Sequence, residues 1–149
     1  MARGPRRLSG KSMRAGLNKK MPYFFDTYAF IAYYFEGRDS YKKYFKKLRG
    51  ADATSILSIM EVYSRIYHAE GVDLAEEITG NILEHFEIHY LNSLEEIKNA
   101  AVFHSKMLKE KKRLSYTDCV NYVLSRKKGL KLLTGDEDFR EIKEVEFEK

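Results

Sequence analysis

Short apolar stretches alternate with helical spacing along this chain. Tyr23-Phe24-Phe25 reads as a short strand, and the aromatic run 27–35 follows at once as a helix. Tyr41, Tyr44, Phe45 and Leu48 recur at steps of three and four, which marks a second helix. A second strand is expected over 53–57, followed by helices over 58–70 and 73–84 around Gly71. A third strand is expected over 87–91, then helices over 94–111 and 116–128, with Gly129 ending the latter. Residues 130–134 give a fourth strand and 145–147 a candidate fifth. Strands separated by helices require right-handed crossovers and a sheet covered on both faces. The expected fold is therefore α/β, a three-layer α/β/α sandwich around a mainly parallel sheet of four to five strands.

The composition narrows the class. A chain of 149 residues favours one domain. A single cysteine, Cys119, excludes a disulfide framework and a multi-cysteine zinc site. No stretch approaches the ~18 apolar residues of a membrane span, since the best candidate, 21–35, is interrupted by Asp26. The formal charge of +5 is unevenly placed. Residues 1–20 hold seven basic residues and no acid, which leaves 20 basic against 22 acidic residues in the rest. This Gly-, Ser- and Arg-containing tail has no apolar periodicity and reads as mobile. It lacks the apolar core of a secretory signal, which points to a cytoplasmic protein. It is either a nucleic-acid arm or an extended start ahead of a domain spanning 21–149.

Acids gather where such a sheet binds its ligands, beyond the carboxyl ends of the strands. Asp26 follows the first strand, and Glu61 lies just beyond the second. Asp118 opens the helix that runs into the fourth strand, and Asp136 follows that strand, with Asp138 two residues later. Carboxylates brought together repel and raise one another's pKa unless a cation intervenes. Mg²⁺ and Mn²⁺ favour oxygen ligands, and such an ion activates water and offsets phosphate charge. Structural roles compete with this reading. Ser58 with Glu61 and Ser115 with Asp118 match capping boxes, as Ser93 with Glu96 does. Arg65 stands four residues after Glu61 as an ion-pair partner. The four histidines form no recognisable ligand set.

Four segments together resemble PIN-domain ribonucleases, and the VapC-like toxins of toxin–antitoxin pairs in particular. They are Tyr23-Phe24-Phe25-Asp26-Thr27, Ser58-Ile59-Met60-Glu61-Val62, Ser115-Tyr116-Thr117-Asp118, and the run from Leu132 through Thr134-Gly135-Asp136-Glu137-Asp138 to Phe139. The resemblance spans residues 21 to about 147. It implies a Mg²⁺- or Mn²⁺-dependent endoribonuclease that leaves 5′-phosphate and 3′-hydroxyl ends. It assigns Asp26, Glu61, Asp118 and Asp136 to the catalytic metal site, with Asp138 as an alternative ligand in the last motif. Thr134 and Thr27 would support that site. The implied partners are an RNA such as a tRNA or an rRNA loop, a cognate antitoxin and a second copy of the chain.

Local basic residues matter more for phosphate binding than net charge does. Lys109, Lys111, Lys112 and Arg113 lead directly into Asp118 and form the best RNA-binding candidate. The set Lys42, Lys43, Lys46, Lys47 and Arg49 reads instead as a solvated helix face. Other functions remain open: a housekeeping PIN nuclease of RNA processing or decay, or a PIN-like binding module without catalysis. A haloacid-type phosphatase would carry Asp-x-Asp after the first strand, and Asp26-Thr27-Tyr28 lacks the second acid.

Overall fold

The computed structural model describes residues 21–48 and 50–149. The expectations for the 1–20 tail and for Arg49 lie outside the described residues. The strands are β1 (Tyr23–Phe25), β2 (Ala53–Ser55), β3 (Glu87–His89), β4 (Lys131–Thr134) and β5 (Val145–Phe147). The helices are α1 (Thr27–Phe30), α2 (Asp39–Phe45), α3 (Ile56–Glu70), α4 (Val72–His85), α5 (Leu94–Lys109) and α6 (Tyr116–Lys127). A π-helical turn, Ile31–Phe35, continues α1, so the expected 27–35 helix is present but changes its winding.

All strand pairs are parallel, in the order β3-β2-β1-β4-β5. The chain builds outward from β1 to β3, then returns to the other side of β1 with β4. The direction of winding therefore reverses between β1 and β4, and a ligand crevice opens at such a switch point.

Successive strand residues point to opposite faces of a sheet, and the sequence exploits this at both central strands. Phe25 and Leu133 enter the core beneath α1 to α4, together with Phe30, Tyr41, Val62, Ile66, Ile78 and Ile82. Phe24 and Leu132 enter the second core, beneath α5 and α6, with Met107, Val120, Leu124 and Phe139. These four strand residues are fully buried, as parallel strands covered on both faces must be.

Several expected boundaries shift for local reasons. The second strand ends at Ser55 because the Ser55 side chain accepts from the Ser58 amide and starts α3 at Ile56. Ser58 is thus inside the helix, and the expected Ser58–Glu61 capping box does not form. The expected 94–111 helix closes at Lys109, and Lys111 takes a φ of +62° in the turn that follows. Strand β3 stops at His89, short of the expected 91, and α2 runs 39–45 rather than to Leu48. Gly129 ends α6 as expected, at a φ of +71°. Among the described residues no helix is long and apolar enough to cross a membrane.

Gly135 closes the edge where β4 delivers its last residues. A Cβ there would lie 2.3 Å from the Glu148 carbonyl oxygen and 2.4 Å from the Tyr28 ring. The Glu148 amide donates to the Thr134 carbonyl over 2.9 Å, so this backbone cannot simply move away. Gly135→Ala is accordingly expected to cost ~1–3 kcal/mol in urea-unfolding stability, the usual range for overpacking. An unchanged midpoint and slope would contradict this account of the close approach.

Candidate functional site

Asp26 leaves β1 at the switch point. Its amide donates to the Leu133 carbonyl over 3.0 Å, which continues the β1–β4 ladder by one residue. Its backbone is extended (φ −81°, ψ 163°) as the cap of α1, and its side chain is buried, 1% exposed. Both carboxylate oxygens are held. Asn121 Nδ2 donates to Oδ1 over 2.7 Å, and Thr134 Oγ1 donates to Oδ2 over 2.9 Å. The Thr27 backbone adds a further hydrogen bond to this group.

These hydrogen bonds favour the anion, yet the balance goes the other way. Burial, followed by the nearby charge of Asp118, pushes Asp26 up to about 7. Asp118 is itself pushed up to about 6, first by burial and then by Asp136 and Glu61. Hydrogen bonds from Ser115 pull Asp118 part of the way back. Asp118 is thus the acid on which the others read from the sequence converge, acting on Asp26 and acted on by Asp136 and Glu61.

Each remaining acid is restrained by its own element. Asp118 does complete a capping box: Oδ2 accepts from the Ser115 amide over 2.8 Å, and Ser115 Oγ accepts from the Asp118 amide over 3.1 Å. The capping role and the clustered placement thus coexist in one side chain. Glu61, one turn further along α3 than expected, takes Thr27 rather than Arg65 as its partner. Thr27 Oγ1 donates to Glu61 Oε1 over 2.6 Å. Asp136 caps a short 3₁₀ turn, Glu137–Phe139, by accepting from the Asp138 amide over 2.9 Å. Its own amide donates to Thr134 Oγ1 over 3.2 Å. Thr134 therefore bridges the Asp136 backbone to the Asp26 carboxylate. Asp138 joins this group through its backbone amide.

The sequence reading passes over two polar neighbours of this group, Asn121 and Ser55, and takes a third, Ser58, only as a helix cap. All three are buried beside Asp26. Their signal was a polar residue, Asn121, set between Val120 and Leu124 on the buried side of α6, one turn after Asp118. A buried amide of this kind needs partners, and it finds them in the acid cluster and its neighbours.

Lys109 ends α5, and Lys111, Lys112 and Arg113 with Leu108 line a cavity of about 480 Å³ before the cap of α6. Tyr116, the first residue of α6, is exposed and stacks on His104 with 4.1 Å between ring centres. A second hollow, of about 440 Å³, lies beside Glu61 and is lined by Thr27, Met60, Ser64 and Arg65.

Among the described residues no group of three or more histidine, cysteine and acidic side chains is arranged to hold a metal ion. The acids that act on one another here, Asp26 with Asp118 and Asp118 with Asp136 and Glu61, offer oxygen donors alone. That donor set fits a hard cation such as Mg²⁺, which keeps several waters and takes only one or two carboxylates directly. It does not suit a metal that demands thiolate ligands.

No curated protein matches the chain. Solved structures share its fold. A toxin–antitoxin complex from Klebsiella pneumoniae aligns at 22% identity over 83% of this chain and 95% of that one, with a TM-score of 0.66. Mycobacterium tuberculosis VapC20, described as a sarcin–ricin loop cleaving toxin, aligns at 18% identity over 85% and 99%, with a TM-score of 0.71. A DNA-bound VapBC complex from Salmonella typhimurium aligns at 12% identity over 87% and 98%, with a TM-score of 0.70. At these identities the likeness is one of fold. The family model for the PIN domain matches residues 23–145, which includes every acid of the cluster. With its five-stranded parallel sheet and its flanking helices, the chain belongs to the PIN-domain family.

Proposed function

We propose that this chain is a Mg²⁺- or Mn²⁺-dependent endoribonuclease, the toxin component of a toxin–antitoxin pair. The observation that carries the reading is the Asp26 carboxylate, buried, held at both oxygens and still pushed up to about 7 beside Asp118. A cation at this point relieves both the burial and the repulsion. Asp26 and Asp118 are assigned to hold it, with Glu61 and Asp136 completing the cluster and Asp138 restraining Asp136. Once bound, a divalent ion lowers the pKa of a water and offsets the charge of a phosphodiester. Thr27 and Thr134 keep Glu61 and Asp26 in place. Lys109, Lys111, Lys112 and Arg113 hold the RNA backbone by charge, on the approach to Asp118.

The fold relatives support the proposed partners. The sarcin–ricin loop cleavage named for the Mycobacterium tuberculosis relative supports an rRNA loop as substrate, with a tRNA as the alternative, and such a substrate goes with a cytoplasmic enzyme. The complexes crystallised from Klebsiella pneumoniae and Salmonella typhimurium support an antitoxin partner. The exposed side chains of Met60 and Tyr67, in a groove of about 840 Å³ along α3, offer such a partner an apolar surface, and a second copy of the chain another candidate occupant. Residues 21–149 form the proposed catalytic unit.

Two experiments test the reading. Asp26→Asn and Asp118→Asn are each expected to abolish Mn²⁺-dependent cleavage of RNA while circular dichroism stays that of the wild type. Cleavage by wild type in Mn²⁺ and none in chelator is part of the same result. Undiminished cleavage by both folded variants would refute the site. A housekeeping nuclease would show the same residue dependence without a co-purifying neighbour-encoded partner, and a binding module would bind RNA without cutting it.

The second experiment uses stability. The folded-state pKa of Asp26 lies above the ordinary value of about 3.9. The folded protein therefore binds more protons than the unfolded chain between about pH 4 and 7, and this group lowers stability as pH rises through that window. In chelator, the melting temperature of wild type is expected to fall from pH 5 to 8 more steeply than that of Asp26→Asn. Added Mn²⁺ is expected to raise it more at pH 8 than at pH 5, and only in the wild type. Parallel profiles for the two proteins would contradict the assignment of strain to Asp26.

A further inference from the structure

Asn121 is fully buried, and almost every hydrogen-bonding capacity of its amide is used. Nδ2 donates to Asp26 Oδ1 over 2.7 Å and to Ser58 Oγ over 2.8 Å. Oδ1 accepts from Ser55 Oγ over 2.6 Å. Ser55 Oγ in turn accepts from the Ser58 amide over 3.1 Å as the cap of α3. An amide offers two donors and one carbonyl acceptor, so this ring of contacts leaves it only one orientation. Turning it over would set its oxygen against the Asp26 carboxylate and its hydrogens against the hydroxyl hydrogen that Ser55 now points at it.

Three elements that share no local sequence meet at this one side chain: the end of β1, the β2–α3 junction and α6. The residue type matters as much as the position. Asparagine supplies donors to Asp26 without adding charge to a cluster that already contains four acids. Aspartate has nearly the same shape but would bring a further carboxylate to the place where the amide now donates. Leucine or alanine would leave Asp26 Oδ1 without its donor, and the buried Ser55 and Ser58 hydroxyls without their shared partner.

We infer that Asn121 is a positioning residue for the proposed cation site, acting through Asp26 by fixing the plane of its carboxylate from the Oδ1 side as Thr134 does from the Oδ2 side. This rests on the reading that Asp26 binds a divalent cation. Partners that orient a metal-binding carboxylate typically change metal affinity by about 10- to 100-fold when removed. A residue that only filled space would change the melting temperature and leave the affinity of the folded protein as it was.

The test is calorimetric titration of Mn²⁺ into the full-length, chelator-treated protein, at a temperature well below each variant's melting point. Asn121→Ala is expected to bind Mn²⁺ about 10- to 100-fold more weakly than wild type. Ser55→Ala, which releases only the far side of the amide, is expected to lose less in the same direction. A folded Asn121→Ala with wild-type Mn²⁺ affinity overturns the inference while leaving the metal site standing. Should Asn121→Ala fail to fold, Ser55→Ala decides: a graded loss of affinity supports the positioning role, and wild-type affinity overturns it. Absence of Mn²⁺ binding by the wild type would overturn the metal-site reading itself, and this inference with it.

Discussion

The carboxylate of Asp26 sits between the ends of β1 and β4, where water does not reach it and where Asp118 repels it. Taking an ionised carboxylate out of water is costly, and the hydrogen bonds from Asn121, Thr134 and the Thr27 backbone offset only part of that cost. The rest shows as a carboxyl pushed up to about 7. Much of the architecture can be understood as what is needed to hold this group in place. The ladder bond from Asp26 to Leu133 fixes its height in the sheet, at the point where the strand order reverses.

The two hydrophobic cores hold that point from opposite sides. Phe25 and Leu133 pin the sheet to the α1–α4 layer, and Phe24 and Leu132 pin it to the α5–α6 layer. The polar contacts at the strand ends join the layers again. Asn121 reaches from α6 to Ser58 of α3, and Thr27 reaches from α1 to Glu61 of α3. The acids therefore belong to elements whose spacing is set by close packing, and packed interiors resist change. In the proposed reading, a cation then meets a site whose ligands are already in place. The basic residues that would receive RNA lie in the turn before Ser115, whose capping box ties that turn to Asp118.

Much of this was legible from residue order. Alternating strands and helices gave the layers, and strand-end placement identified Asp26, Glu61, Asp118 and Asp136 as neighbours without any pairwise signal. What stayed hidden was non-local or turned on one cap. The order β3-β2-β1-β4-β5 depends on which strands pair, and three-residue strands such as β1 and β2 carry no register information of their own. The α3 start moved because Ser55, not Ser58, caps the helix, and the partner that Glu61 takes, Thr27, lies 34 residues away on another element. Asn121 carries no charge and stands among apolar neighbours, so neither a charge pattern nor a period marks it. Its partners are 63, 66 and 95 residues away, beyond the reach of any helical or strand period.

The central claim, that the buried Asp26 carboxylate is the heart of a divalent-cation site, is tested most directly by crystals grown with Mn²⁺ and measured at an energy where manganese scatters anomalously. The account predicts an anomalous peak at the β1–β4 switch point, in direct coordination with an Asp26 carboxylate oxygen and with Asp118 on its other side. Manganese found only on surface carboxylates such as Glu146 and Glu148, with no ion beside Asp26, would contradict it.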